Sequence, residues 1–541
     1  MNSFSLTRYA GWAQWPVRLG YALILGLCFV LILWLGLTTT TTPAHAGTLC
    51  VKPGGGNGCL ASINAALAIA QKNDTIRVAA GIYNENVLIS RTVTLQGGWN
   101  LIFNIRNINA FTSTIHPLIN AQSVVAIEGQ FANPAAVKPI LDGFVISGGR
   151  ADLGGNHGGG IRIRDSNALV ISNTIRNNAA FLLGGGVWVQ RGAPVLKGNH
   201  IINNRTLGLG QDAHGGGVQL ENTQSVLLDN LIAGNIISGT EVYGGGLEIS
   251  GTGAGYVTLR RNQFISNTAL IASTNLGFGG GIAVNNGQVL LANSSLISNT
   301  AAASGGGIFI GGSSQGCCHL TGQDNLIQSN TAKAKGGGLF ISAGGMISFT
   351  HSALIANLAE QDGGAIYNSG VISLSNTTVS GNSANGMGGG IANFEQVNLV
   401  NATVSDNFSS SGAGLFNANV VNTKNSLIAL NLGNNCLGVL TSQGYNLEDG
   451  GACALGQPTD MPNTSPSMNP LEENGGSTPT QALAADSPAI DAGDNNACPP
   501  TDQRGAPRPV DGDGDGQAVC DIGAYEYGSV LPWLYLPLVI R

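Results

Sequence analysis

The chain has 541 residues, of which 81 are glycine, 43% are hydrophobic and only 10% are charged. The apolar fraction argues against disorder, and so much glycine without a Gly-X-Y period excludes collagen and disfavours helical bundles. The formal net charge of −7 disfavours nucleic acid and strongly anionic polymers as partners.

Residues 1–46 have the organisation of a signal peptide. Arg8 and Arg18 form a positive segment, an uncharged apolar run extends over residues 19–37, and Ala44-His45-Ala46 resembles a cleavage site. The apolar run is also long enough to span a bilayer, so an uncleaved membrane anchor is the alternative. Either outcome predicts a secreted or cell-surface protein, whose remaining residues carry a formal charge of −9.

Eight cysteines outside this segment form pairs that are local in sequence, and an even number in an exported chain indicates disulfides. The pairs are Cys50/Cys59, Cys317/Cys318, Cys436/Cys453 and Cys498/Cys520. The adjacent pair, Cys317 and Cys318, is the doubtful one because a disulfide between neighbours is strained. Zinc is not expected, since no Cys-x-x-Cys pattern is present.

Residues 47–157 are predicted to begin a stack of short strands. The alanine-rich segment 61–71 has apolar residues at helical spacing, Ile63, Leu67 and Ala70, and predicts a short helix. An exposed end of a stacked sheet needs covering, so we expect this helix to cap the stack.

Residues 158–431 contain ten glycine-rich triplets, each followed after 19 to 25 residues by an asparagine. The triplets begin at Gly158, Gly184, Gly215, Gly244, Gly279, Gly305, Gly336, Gly363, Gly388 and Gly412. The asparagines are Asn178, Asn204, Asn235, Asn267, Asn299, Asn330, Asn357, Asn382, Asn407 and Asn431. A repeat of this size is one structural unit stacked many times.

Each triplet precedes a strand with alternating apolar residues, such as Ile161 and Ile163, and two further apolar stretches complete the repeat. Three short strands per repeat predict an all-β, right-handed parallel β-helix. Roughly thirteen turns spaced about 4.8 Å apart would form a rod on the order of 60 Å long. We expect the ten asparagines to stack their side-chain amides in one column along the rod.

The distance from each asparagine to the next triplet varies from 5 to 12 residues, and the longest connections lie between Asn204 and Gly279. Insertions therefore collect at one turn of the repeat. Loops gathered on one flank of a solenoid often form its binding face.

These motifs resemble the repeats of pectin-lyase-like parallel β-helix proteins over about residues 47–431. They also resemble those of the chlamydial polymorphic outer-membrane proteins, through Gly363-Gly364-Ala365-Ile366 and Phe264-Ile265-Ser266-Asn267. The resemblance implies the fold much more strongly than any activity.

Residues 432–527 break the repeat and resemble the choice-of-anchor Q domain. The resemblance lies in Ser487–Gly493, Thr501–Gly505, Arg508-Pro509 and Cys520–Glu526. That family ends exported bacterial β-helix proteins and precedes surface-anchoring signals, and the resemblance implies no catalytic residue. Residues 528–541 form an apolar tail that is either a terminal strand or a sorting signal.

Asp511, Asp513 and Asp515 alternate with glycines in the spacing of a calcium loop, and Asp521 follows at loop position 11. Ile522 stands where an EF-hand has its terminal glutamate. The sequence predicts a calcium site formed by these four aspartates, with a solvated acidic turn as the alternative.

The second residue after each triplet defines an outward-facing row. Its members are Arg162, Trp188, Gln219, Glu248, Ala283, Phe309, Phe340, Tyr367, Ala392 and Phe416. Exposed aromatic residues at such spacing can stack on sugar rings, so we expect Trp188, Phe309, Phe340 and Tyr367 to contact carbohydrate. The alternatives are that a loop covers these rings or that they stack on each other.

Glu221 and Glu248 lie on adjacent repeats, and a separation of about 8 Å would suit an inverting glycosidase. Two solvated surface glutamates are the more common case, and the histidines, including His157 and His214, show no metal or catalytic spacing. The sequence therefore favours a structural, adhesive or carbohydrate-binding role, with extracellular polysaccharide or the cell envelope as the expected partner. A polysaccharide-active lyase, hydrolase or epimerase is the alternative.

Overall fold

The computed structural model describes residues 46–531 except 155–156, 254, 272–275 and 312–317. Residues 1–45 of the predicted signal peptide, most of the apolar tail and Cys317 lie outside the described residues. Those residues are almost entirely β, and they form a right-handed parallel β-solenoid of about 12 turns, as the repeat predicted.

Three strands form each full turn, and corresponding strands of successive turns pair in parallel. Sheet 1 contains the strands that follow the triplets and sheet 2 the strands that come next, and Ile282–Ala292 runs through both. The remaining sheet 1 strands are Val87–Ile89, Val125–Glu128, Ile161–Arg164, Val187–Gln190, Val218–Glu221, Leu247–Ser250, Ile308–Ile310, Leu339–Ile341, Ile366–Asn368, Ile391–Asn393, Leu415–Asn417 and Cys436–Leu437. The remaining sheet 2 strands are Thr48–Val51, Thr75–Ala79, Thr94–Trp99, Ile140–Asp142, Leu169–Ile171, Val195–Lys197, Val226–Leu228, Tyr256–Arg260, Cys318–Gln323, Gly345–Thr350, Val371–Ser375, Gln396–Val400, Val420–Lys424 and Thr441–Ser442.

Sheet 3 closes the coil and leads into the predicted asparagines. Its strands are Gly81–Asn84, Ser113–His116, Phe144–Ser147, Thr174–Arg176, His200–Ile202, Leu231–Ala233, Gln263–Ile265, Ser295–Ile297, Leu326–Gln328, Ala353–Ile355, Thr378–Ser380, Thr403–Ser405, Leu427–Ala429, Leu447–Glu448 and Met461–Pro462. Alternate residues of all three sheets point inward, and their aliphatic side chains form one continuous core along the solenoid.

The asparagine column is confirmed. The side-chain amide of each predicted asparagine donates to the side-chain oxygen of the next, from Asn178 to Asn431, over 2.9 to 3.1 Å. A second ladder runs parallel to it through Asn173, Asn199, Asn230 and Asn262. The first ladder also accepts backbone N–H groups at the turn, which is why these buried amides are tolerated.

Two further sheets, both made of very short strands, lie between the asparagines and the triplets that follow them. The longer one pairs Ala179–Ala180, Arg205–Thr206, Ile236–Gly239, Thr268–Ile271, Thr300–Ala301, Thr331–Ala332, Leu358–Ala359 and Ser383–Ala384. The other pairs Ala213–His214, Val242–Tyr243 and Gly277–Phe278, and it lies within the three longest connections. The described parts of these three insertions therefore stack in register on one flank of sheet 1, and we call this stack the insertion wall.

A helix, Ile63–Ile69, confirms the predicted N-terminal cap, and Ile63, Ala66 and Leu67 join the core. Ser62 caps the helix, and the Glu85 carboxylate accepts the first N–H groups of the helix. Two short 3₁₀ helices, Pro134–Ala136 and Ala151–Gly154, lie in connections. No helix of the described residues is long and apolar enough to cross a membrane.

The glycine repeat ends near residue 431, but the coil continues for a further turn, because Cys436–Leu437, Thr441–Ser442 and Leu447–Glu448 extend the three sheets. An antiparallel pair, Met468–Glu472 and Thr480–Leu483, follows. The predicted disulfides Cys50–Cys59, Cys436–Cys453 and Cys498–Cys520 are all formed.

Candidate binding site

The outward-facing row predicted from the sequence is a physical column on sheet 1. Strand register aligns each member with the next, from Arg162 beside Trp188 through Phe340 beside Tyr367 to Phe416. We call it the outer column. Its N-terminal half carries polar side chains, and its C-terminal half carries aromatic ones.

The aromatic half packs against itself. Phe340 stacks between Phe309, at a ring-centroid distance of 5.5 Å, and Tyr367, at 5.1 Å. Phe278, on the insertion wall, packs on Phe309 at 4.7 Å. In-register parallel strands place identical positions one above another, so neighbouring rings meet face to face.

The expectation that these aromatic side chains are exposed is wrong for three of the four. Trp188, Phe309 and Tyr367 are only 5%, 7% and 8% exposed, and Phe340 is half-buried with both faces covered. The open ring faces that would stack on a sugar are therefore already occupied. Contact of these residues with carbohydrate stays a prediction, and it would have to involve ring edges.

The polar half of the outer column brings together residues that are distant in the sequence. The polar patch consists of His157, Trp188, Gln219, Glu221, Glu248 and His214. The His157 ring lies 5.1 Å from the Trp188 ring, and His214 Nδ1 lies 3.7 Å from Glu248 Oε1. Glu221 and Glu248 point outward from adjacent turns, as the sequence analysis expected.

Three side chains of the patch are buried while one polar atom of each has no hydrogen-bond partner. These atoms are Trp188 Nε1, Gln219 Oε1 and Glu248 Oε2. The other ends of two of the side chains are fixed, since Gln219 Nε2 donates to Ser250 Oγ over 2.8 Å and Asn285 Nδ2 donates to Glu248 Oε1 over 2.8 Å. Burying a polar atom without a partner costs about 1–3 kcal/mol, so a hydrogen bond from a ligand or an ordered water to any of these three atoms would be favourable.

The two histidines have different electrostatic surroundings. Burial lowers the pKa of His157 below its ordinary value; the charge of Glu221 opposes this shift, and the charge of Arg162 adds a smaller lowering. Burial also lowers the pKa of His214, but Glu248, with smaller contributions from Asp212 and Glu221, outweighs burial and raises it overall. At 3.7 Å the His214 and Glu248 atoms are too far apart for a direct hydrogen bond, so their attraction is that of an ion pair.

From the sequence, neither histidine shows metal or catalytic spacing, and a surface polar role is the default. The signal that could have found them is positional, since each directly precedes a triplet, Gly158 or Gly215. Residues at that position pack against the outer-column residue of the next turn. Lys335, which precedes Gly336, follows the same rule and places its Nζ 4.4 Å from the Tyr367 ring centroid.

Beyond Arg162 the same face continues into a depression of about 260 Å³. Amide and hydroxyl side chains from Asn86, Gln122 and Ser123 line it together with apolar Leu88. Its polar lining is therefore largely uncharged.

In the acidic loop, Asp511 and Asp513 converge with Asp491, and one oxygen from each lies within 4.8 Å of the others. Asp515 is exposed and accepts from the backbone of Gln517. Carboxylates at this spacing are the ligands that calcium prefers, so the three converging side chains fit a hard cation.

Asp521 does not join this group, contrary to the sequence prediction. It is fully buried, accepts the backbone N–H groups of Asp491 and Tyr527, and burial with the nearby charge of Glu526 raises its pKa to about 8. Its distance along the chain matched a calcium loop, but its carboxylate is held inside the C-terminal segment by the backbone of Asp491 and Tyr527.

The motifs that resembled a choice-of-anchor domain face the solenoid. Arg508 forms a fully buried ion pair with Glu526, at 2.9 Å between Nε and Oε2, and donates to Asn376 on the solenoid over 3.2 Å. Asn401 and Asn425 occupy the position of Asn376 in the next two turns of the solenoid. Asn401 donates a hydrogen bond to Gly523, and Asn425 exchanges hydrogen bonds with the backbone of Asp494. These residues dock the C-terminal segment and leave the polar patch as the stronger candidate site.

Comparison with known proteins supports the fold. A family model described as a right handed beta helix region matches residues 145–317, which include the whole polar patch. No curated protein and no solved structure is significantly similar to the chain. The family match and the parallel coil together support a pectin-lyase-like β-helix.

Proposed function

We propose that this chain is an exported, surface-associated β-helix protein that binds carbohydrate through the polar patch. The β-helix fold supports a surface or carbohydrate-related role. The observation that carries the proposal is the set of buried hydrogen-bonding atoms without partners on Trp188, Gln219 and Glu248. Carbohydrate sites combine apolar surface with a few fixed polar groups of this kind.

A glycan array probed with the purified full chain tests carbohydrate binding. We expect retention on one or more extracellular polysaccharides, and no retention on any glycan would refute the proposal. Fractionation of producing cells, followed by N-terminal sequencing, tests export. Cleavage after Ala46 is expected, and an intact N-terminus in the membrane fraction would instead indicate an anchor formed by residues 1–46.

A polysaccharide-active enzyme is the second candidate. It is favoured by the grouping of Glu221, Glu248 and two histidines in one patch. Here one glutamate would protonate the leaving oxygen and the other would activate water. Incubation with a polysaccharide panel, with and without calcium, should then release reducing ends or unsaturated products, and Glu221→Gln should abolish that release. If wild type releases nothing, the role is binding alone.

Calcium is proposed as a structural ligand of Asp491, Asp511 and Asp513. When bound, the cation would neutralise three converging carboxylates and fix the loop against the C-terminal segment. The support for it is the convergence of the three side chains.

A further inference from the structure

We propose that the polar patch selects a neutral sugar unit, one that carries hydroxyl groups but neither carboxylate nor sulfate. This inference rests on the carbohydrate-binding role proposed above and adds the chemical class of the ligand. It is carried by the unpartnered atoms of the patch and by its charges.

Five side-chain atoms of the patch lack a hydrogen-bond partner; two of them are His157 Nδ1 and His214 Nδ1, and the other three form an ordered row. Trp188 Nε1 can only donate a hydrogen bond, whereas Gln219 Oε1 and Glu248 Oε2 accept. The three residues are lateral neighbours on consecutive turns, so about 4.8 Å separates each from the next. A sugar hydroxyl both donates and accepts, so adjacent hydroxyls of a sugar can satisfy all three atoms.

Access to these atoms lies beside His214. Its side chain is 29% exposed and lies beside the fully buried Glu248. Because Glu248 is fully buried, a ligand can reach its carboxylate once a neighbouring side chain such as His214 moves aside. Hydrogen bonds to a ligand then remove the cost of burying that carboxylate with one oxygen unpartnered.

The charges of the patch disfavour an acidic ligand. Glu221 and Glu248 place two carboxylates on the face, while Arg162 and Arg164 both pair with Glu128 at 2.9 Å. His157 has a lowered pKa, and the charge of protonated His214 is directed at Glu248. These two arginines share the single Glu128 carboxylate, so with Glu221 and Glu248 this part of the face has three carboxylates against two guanidinium groups, and a uronate or sulfate meets repulsion.

The neighbouring depression is consistent with this class. Asn86, Gln122 and Ser123 line it with neutral hydrogen-bonding groups, and the charged residue of its lining, Arg162, pairs with Glu128. A neutral oligosaccharide that occupies the patch can extend past Arg162 into this depression.

The test is isothermal titration of the purified full chain with cello-, xylo- and manno-oligosaccharides and with oligogalacturonates. We expect binding of at least one neutral series and at least tenfold weaker binding of oligogalacturonates. Trp188→Phe removes the indole N–H donor together with the pyrrole ring and keeps one aromatic ring. Gln219→Met removes the acceptor, and with it the Nε2 donor to Ser250, at similar size. Each should weaken neutral binding about tenfold, the effect of one buried hydrogen bond.

Gln263→Met, at an exposed position on sheet 3, is the matched control and should bind as wild type. The double variant Glu221→Gln, Glu248→Gln should gain affinity for oligogalacturonates, a result that loss of structure would not produce. Tighter binding of oligogalacturonates by wild type would overturn the inference while keeping the proposed function. The inference would also be overturned if Trp188→Phe and Gln219→Met bound neutral oligosaccharides with the affinity of the wild type. If no sugar binds, the proposed function itself fails.

Discussion

His214 Nδ1 lies 3.7 Å from Glu248 Oε1, although the two residues belong to successive turns of the solenoid. The contact follows from the coil, because a residue directly before a triplet packs against the outer column of the next turn. His157 with Trp188 and Lys335 with Tyr367 show the same relationship. The polar patch is thus a product of stacking, with its chemistry set by which residues occupy two recurring positions.

The raised pKa of His214 predicts a pH-dependent contribution to stability. Because the folded-state pKa exceeds the unfolded value, the contribution is complete below about pH 6.5 and is lost as pH rises through the folded-state pKa. Urea unfolding of wild type and His214→Gln should therefore differ more at about pH 5.5 than at about pH 8.5. An equal difference at both pH values would show that the ion pair with Glu248 contributes nothing.

Asn267→Ala should weaken the middle of the solenoid. The Asn267 amide donates to Ile232 and Asn299, and its oxygen accepts from the backbone and side chain of Asn235. Alanine leaves several buried groups unsatisfied, and we expect a loss of about 2–4 kcal/mol. Denaturant unfolding and amide exchange measure it, with exposed Asn286→Ala as the control. Similar losses in the two variants would contradict a structural role for the ladder.

Gly280→Ala tests the tight approach of successive turns at the triplets. An added Cβ would lie 2.5 Å from the carbonyl oxygen of Gly306 on the next turn, and backbone cannot move away as a flexible side chain can. We expect a lower melting temperature and reduced soluble yield. Gly456→Ala, where a Cβ meets nothing within 4 Å, should behave as wild type. Normal stability of Gly280→Ala would mean that the turns have room to separate.

Phe340→Ala separates a packing role of the aromatic residues from a binding role. Because Phe309 and Tyr367 cover both ring faces, we expect the variant to lose about 3 kcal/mol of stability. Binding of a glycan at the polar patch should change less than twofold, as measured by titration below the melting temperature. A large loss of glycan affinity in a folded variant would instead support the sequence prediction of sugar contact by this column.

Calcium should raise the melting temperature of the full chain if the acidic loop binds it. Asp513→Asn removes one converging carboxylate and should abolish most of that rise, whereas Asp515→Asn, outside the converging group, should keep it. Differential scanning fluorimetry with calcium and with chelator measures both. The same rise in wild type and both aspartate variants would indicate that calcium acts elsewhere.

The repeat determined the architecture from sequence alone. Glycines at fixed spacing, alternating Ile161 and Ile163, and an asparagine such as Asn267 at one position of each turn specify local geometry that every turn repeats. Stacking then propagates that geometry along the axis, so a periodic pattern predicts the solenoid, the amide column and the insertion wall. The disulfide pairs outside residues 317–318 were also predictable, because their cysteines are close in sequence.

The site was decided by tertiary structure. His157, His214 and Glu248 belong to different repeats whose connections differ in length, and only the register of stacked turns brings such residues together. Tertiary structure also decided the acidic cluster, which contains Asp491 where the sequence predicted Asp521. The contacts within the C-terminal segment orient both side chains. Local periodicity fixes which residues point outward, whereas contacts between turns and with the docked segment determine whether an outward residue is exposed, stacked or left with an unpartnered polar atom.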